Sequence, residues 1–218
     1  MRGKKAATRR RRALGRLGVL ALSAALCLLL VGYGLTPESV RQKCEIQWGM
    51  TGTEPLRDLG EIGLEDTGPI RGWLSGNDRW LLLWAAAHHW TAGWQPVGSM
   101  GLDCTGEEPL VGGAWLLSEG WRGGERCFLF GRVKDPAVVR VEAVAQIQDK
   151  TDDKPRTVRA QWLREGQEQD FCIEPGWRPW NIYSLELIGY DAGDRETVRT
   201  QGEWSIEPVS APEIGGYP

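Results

Sequence analysis

The chain has 218 residues, with 26 Lys and Arg against 29 Asp and Glu, two His and twelve Trp. Eight of the cations fall in the first 16 residues, which hold no acid, so the rest of the chain carries 11 more acids than bases. That sign of charge excludes nucleic acid and anionic surfaces as partners of the remainder, and its length suits one well-buried domain.

Residues 1–16 form a basic leader: Arg2, Lys4, Lys5, Arg9 to Arg12 and Arg16. Leu17 to Leu35 follow without a single charge. As a helix rising about 1.5 Å per residue, this run reaches roughly 28 Å, close to the hydrocarbon thickness of a bilayer. The cations before it predict a cytoplasmic N-terminus and an extracytoplasmic portion over 36–218. A cleaved secretory signal shares this layout and stays open. Against it stand the long basic stretch, an apolar run beyond the usual signal core, and Gly32-Tyr33-Gly34 as the one poor imitation of a cleavage site. Cys27 reads as an ordinary membrane-facing thiol.

Thr36-Pro37-Glu38-Ser39 then carries a helix start: a capping hydroxyl, proline in the first turn and an acid at the positive end of the dipole. A short helix through about Lys43 is expected. The glycine-rich and charged stretch Thr51 to Gly76 predicts loops with one or two brief strands. Arg79 to Ala87 is a dense apolar run. Its length and the Asn77-Asp78 turn before it favour a buried strand, with helix as the alternative, and a second strand is expected over Trp94 to Met100.

From Cys127 the pattern changes to strict alternation. Val139, Val141, Ala143, Ala145 and Ile147 share one face, and Val158, Ala160 and Trp162 share another. Phe171 to Ile173 forms a short strand. Tyr183, Leu185 and Leu187 alternate with Ser184 and Glu186, and a hairpin turns at Asp191-Ala192-Gly193-Asp194. Short strands between glycine, proline and acidic turns predict a mainly β fold: an antiparallel β-sandwich or a partly open barrel behind the transmembrane helix.

Cys127 to Val141 (CFLFGRVKDPAVVRV), Phe171-Cys172-Ile173 and the closing Leu187 to Gly193 (LIGYDAG) resemble the β-domain of small uncharacterised membrane-anchored extracytoplasmic proteins of Gram-positive bacteria. The resemblance covers roughly Cys127 to Thr200, with a fainter echo at Thr36-Pro37-Glu38. It implies a topology and a location, and brings no catalytic residue.

Cys44, Cys104, Cys127 and Cys172 make an even count in a compartment that permits oxidation. Three connectivities are open, with Cys44 to Cys104 and Cys127 to Cys172 preferred; the alternative is buried thiols acting as small apolar side chains. No C-x-x-C pair occurs. His88 and His89 are adjacent, so on a strand they point to opposite faces and cannot share a metal. No nucleophile elbow, phosphate loop or dinucleotide fingerprint is present. Asp191 and Asp194 sit in a turn without the further ligands of a calcium loop. No metal, cofactor or catalytic residue is therefore assigned.

Tryptophan is the one compositional excess. Trp80, Trp84 and Trp162 lie on apolar strand faces and read as core, whereas Trp73, Trp94, Trp121 and Trp177 each follow a glycine near expected loops. Trp177, Arg178 and Trp180 are the candidate ligand-binding residues, offering flat rings beside a cation. The expected function is a membrane-anchored, non-catalytic binding or structural domain at the cell envelope, partnered by the membrane through 17–35 and by a wall component or another envelope protein. The alternatives are a wall polysaccharide or peptide binding module, and an envelope hydrolase with an unidentified acid pair.

Overall fold

The computed structural model describes residues 16–20, 22–23, 26, 34–65, 68–90, 93–118, 125–149 and 154–207. No helix among these residues is long and apolar enough to cross a membrane. The expected span over 17–35 lies mostly outside the described residues.

The first element of the β-rich portion is helix α1 (Pro37–Gln47). Thr36 caps it, with Ser39 completing the capping box: the Ser39 N–H donates to Thr36 Oγ1 at 3.3 Å and the Thr36 N–H donates to Ser39 Oγ at 3.4 Å. The helix runs four residues past the expected end, because Arg41 and Glu45 pair one turn apart and Val40 and Cys44 bury the same face. Gly49, with φ +66°, ends it in the left-handed conformation that glycine tolerates. Arg41 also donates to Thr53 Oγ1 at 2.8 Å, while Glu45 accepts from the Thr53 N–H at 2.6 Å. This buried triad pins the helix to the chain that enters the first strand.

Among the described residues, twelve strands form three four-stranded sheets. The first sheet is a meander of β1 (Glu54–Glu65), β2 (Gly68–Gly76), β3 (Trp80–His89) and β4 (Gly93–Asp103). The second orders β12 (Glu203–Glu207), β5 (Leu110–Ser118), β6 (Glu125–Val133) and β9 (Asp170–Ile173). The third orders β11 (Glu196–Gln201), β10 (Pro179–Tyr190), β7 (Arg140–Asp149) and β8 (Arg156–Leu163). All pairings are antiparallel except β12 with β5.

The sheets stack face to face, with the second in the middle. Leu116, Cys127 and Leu129 pack against Val141, Ala145, Leu185 and Leu187 of the third sheet. On the opposite face, Trp115, Leu117, Phe128 and Phe130 pack against Ile70, Leu81, Leu83 and Met100 of the first sheet. Helix α1 covers the outer face of the first sheet, where Val40 and Cys44 meet Leu82, Trp84 and Ala86. Strands β3, β5 and β6 are thus covered on both sides, which is why their sequences are solid apolar runs rather than alternating ones. Gly202 is the crossing point between sheets: β11 pairs with β10 before it and β12 pairs with β5 after it. A Cβ at Gly202 would lie 2.5 Å from Leu185 Cδ2, so only glycine lets the chain pass that close.

Several sequence expectations hold: mainly β character, β3 as a buried strand, and the alternating strands of the C-terminal half, except that Val139 lies before β7 and Val138 is buried in its place. Others need correction. Thr51 to Gly76 is not loop with brief strands but a long hairpin of β1 and β2. Three register shifts between Pro55 and Gly63 break the alternation that would have announced it. Tyr183 does not share the buried face of Leu185 and Leu187. A register shift between Ile182 and Ser184 turns Ile182 inward and leaves Tyr183 48% exposed.

The preferred disulfides are also corrected. All four cysteines are buried thiols. Cys44 lies under α1 and Cys104 between the first two sheets, so the first sheet separates them. Cys127 faces the third sheet while Cys172, also in the middle sheet, faces the first. Neither pair can meet across a backbone layer. Burial pushes the Cys127 and Cys172 thiols up to about 12, leaving almost no thiolate at neutral pH. A thiol-reactive dye at about pH 8 is therefore expected to leave Cys127 and Cys172 unlabelled in the native protein and to label both in denaturant without reductant. Labelling that required prior reduction would mean that they are bridged.

Candidate functional site

Two surface features stand out, a polar cleft and an aromatic face. The cleft, about 490 Å³, opens where the ends of β1 and β2 approach the ends of β6 and β9, and is lined by Glu54, Leu56, Asn77, Asp78, Cys104, Arg132, Lys134, Gln169 and Asp170 among others. Its centre is Arg132, whose side chain is 10% exposed. The guanidinium holds Asp170 in a two-pronged contact, Nε to Oδ1 at 2.6 Å and an Nη to Oδ2 at 3.0 Å, and donates to the Asn77 carbonyl at 2.6 Å. This joins the middle sheet to the turn between β2 and β3. Lys134 Nζ donates to the Gly106 carbonyl at 2.5 Å. Burial raises the Cys104 thiol above its ordinary value despite the cations nearby, which makes it a poor nucleophile. Both cations of the cleft are thus engaged by protein oxygens, and its chemistry is that of a fastening between sheets.

The aromatic face is the outer surface of the first sheet. Trp73 and Trp84 are directly opposite on β2 and β3, stacked with centroids 4.4 Å apart. Trp94 on β4 meets Trp73 edge-on at 5.7 Å, and the His88 ring lies 4.8 Å from Trp94. Arg71 sits 5.8 Å over Trp73 and Arg79 sits 5.7 Å over Trp80. Two indoles are anchored by buried serines: Trp84 Nε1 donates to Ser75 Oγ and Trp48 Nε1 to Ser99 Oγ, each at 3.0 Å. The face joins the chain's entry point, because Gly34 and Trp94 exchange both backbone hydrogen bonds, at 2.6 and 2.7 Å. Gly93 permits this approach; with φ +95°, a Cβ there would sit 2.5 Å from the Gly34 carbonyl oxygen. Directly after β3, Trp90 is 89% exposed.

The residues expected to bind ligand do not act together. Trp177 is buried between the middle and third sheets, so it cannot offer a face to a ligand. Inward and outward residues alternate from there into β10, which leaves Arg178 and Trp180 outside, Trp180 at 54% exposure. Arg178 pairs with Glu174 at 3.4 Å. Trp80, Trp84 and Trp162 serve in packing as expected, while Trp73 and Trp94 stand in strands rather than loops; Trp121 lies outside the described residues. His88 and His89 end β3, with His88 exposed. Among the described residues, no group of three or more His, Cys, Asp or Glu is placed to hold a metal ion. Asp191 instead accepts from the Gly193 and Arg195 N–H groups, and Asp194 pairs with Arg140.

On the outer face of the third sheet, Glu142 accepts from Arg159 at 2.8 Å and from the Tyr190 hydroxyl at 2.9 Å, and the Arg159 bond foremost holds its carboxyl below the ordinary range. Sequence reasoning missed both the Arg132–Asp170 fastening, whose members lie 38 residues apart, and the assembly of the aromatic face. The one available signal for the latter was tryptophan at alternate positions of β3, Trp80 and Trp84 with Leu82 between. No family model matches the chain, and no curated protein or solved structure matches it significantly.

Proposed function

We propose that this chain is a single-pass membrane protein, N-terminus cytoplasmic, whose stack of β-sheets stands outside the membrane and works at the cell envelope without chemistry, by binding or structural support. The carrying observation is the uncharged run Leu17 to Leu35 behind eight cations and no acid, a layout that inserts with its basic end inside. Support also comes from the junction: Gly34 is hydrogen-bonded to Trp94 and α1 starts at Pro37, so the folded portion follows the apolar run with no linker. The resemblance over Cys127 to Thr200 to anchored proteins of Gram-positive bacteria agrees with this placement. The wall-binding alternative keeps Arg178 and Trp180 but loses Trp177 to the core. An envelope hydrolase would need a pair of acids across a cleft; of the acids lining the cleft described above, Asp170 is committed to Arg132, which leaves Glu54 and Asp78 for that reading.

A C-terminal fusion to a phosphatase that matures only outside the cytoplasm is expected to be active, and the protein is expected to resist alkaline extraction from membranes. Activity only from a reporter that matures in the cytoplasm would overturn the orientation, and release by alkali would overturn the anchor.

A further inference from the structure

We propose that Trp90, directly after the end of β3, rests in the headgroup layer of the membrane and fixes the orientation of the β-stack on it. This deepens the membrane-anchored reading and rests on it. Trp90 is 89% exposed and Leu35 is 85% exposed, the two highest values among the large hydrophobic side chains of the described residues. They belong to one place. Gly34 is tied to Trp94 by two backbone hydrogen bonds, and the Cβ position of Gly93 lies 3.7 Å from the Leu35 Cα, three residues along the chain from Trp90.

The continuity of the chain chooses the occupant. Leu35 is the last residue of the uncharged run, so where the run leaves the hydrocarbon the end of β3 is held beside it by the Gly34–Trp94 bridge. An indole at that depth buries its ring against acyl chains and keeps its N–H among polar headgroups. Behind Trp90, the His88 ring against Trp94 and the Trp73–Trp84 stack give it a rigid base. The bonded junction at Gly34 holds the stack at one point, and a second contact at Trp90 fixes its tilt.

The test uses the full chain in phosphatidylcholine vesicles, with and without lipid brominated at a shallow acyl position, reading tryptophan emission. Brominated lipid is expected to quench part of the emission of the parent protein. Trp90→Ala should remove most of that quench, whereas Trp180→Ala, on the third sheet at the far side of the stack, should leave it unchanged. Undiminished quench in Trp90→Ala, or its loss in Trp180→Ala, with the protein still resistant to alkaline extraction, would overturn the seating alone. Release by alkali would overturn the anchored reading and the seating with it.

Discussion

Asp170→Ala is expected to lower the stability of the β-stack by about 3–5 kcal/mol, the range seen when a buried charge loses its partner. Arg132 lies inside the fastening between the first and middle sheets, and Asp170 receives two of its hydrogen bonds. Without the carboxylate the guanidinium keeps one hydrogen bond, to the Asn77 carbonyl, and the weaker attraction of Asp78, too little to compensate a cation in that position. The reverse change, Arg132→Met, should cost less, because Asp170 is 20% exposed and can turn toward water whereas Arg132 is 10% exposed. Replacing both, Arg132→Met with Asp170→Leu, should recover most of the loss, since an apolar pair of similar volume carries no desolvation cost. Urea midpoints for the three variants measure this directly. An Asp170→Ala midpoint equal to that of the parent protein would mean that the cation reaches solvent and that the cleft is no fastening.

Trp115→Ala is expected to cost a similar amount, about 3–5 kcal/mol, through the void it leaves. Trp115 is fully buried on the face of the middle sheet that meets the first sheet, beside Phe128. The loss should fall on that interface, so hydrogen exchange is expected to accelerate in β2 and β3 before it does in β7 and β10. Trp115→Phe separates size from polarity. The Trp115 Nε1 has no hydrogen-bond partner among the described residues. Phenylalanine therefore leaves a smaller void and removes an unsatisfied donor that costs on the order of 1–3 kcal/mol, so its net effect should be far smaller. A Trp115→Phe loss as large as that of Trp115→Ala would show that the indole N–H is satisfied and contributes to stability.

Legibility in the sequence followed solvent exposure. β7 and β8 have one face on a core and one in water, so Val141, Ala143, Ala145 and Ile147 stand out against Arg140, Glu142 and Gln146, and those strands are readable residue by residue. The start of α1 is readable because capping depends on neighbours three residues apart. β1 escaped because its bulges shift the alternation. Of the candidate ligand residues, Trp180 is exposed as expected, but Trp177 is core, since a local sequence reads the same whether a ring closes a gap between sheets or faces a ligand.

The amino-acid sequence by itself determined the elements and their signs: a basic leader, an uncharged run, a capped helix, and strands rich in buried apolar residues. These depend on residue charge, on local hydrophobic periodicity and on contacts within a few residues. Only the tertiary structure decided which strand lies on which, and hence that the middle sheet is covered on both faces, that Cys44 and Cys104 lie on opposite sides of one sheet, and that Arg132 finds Asp170. Those facts depend on how three sheets stack, and a strand buried on both faces carries apolar residues at every position whichever sheet it meets.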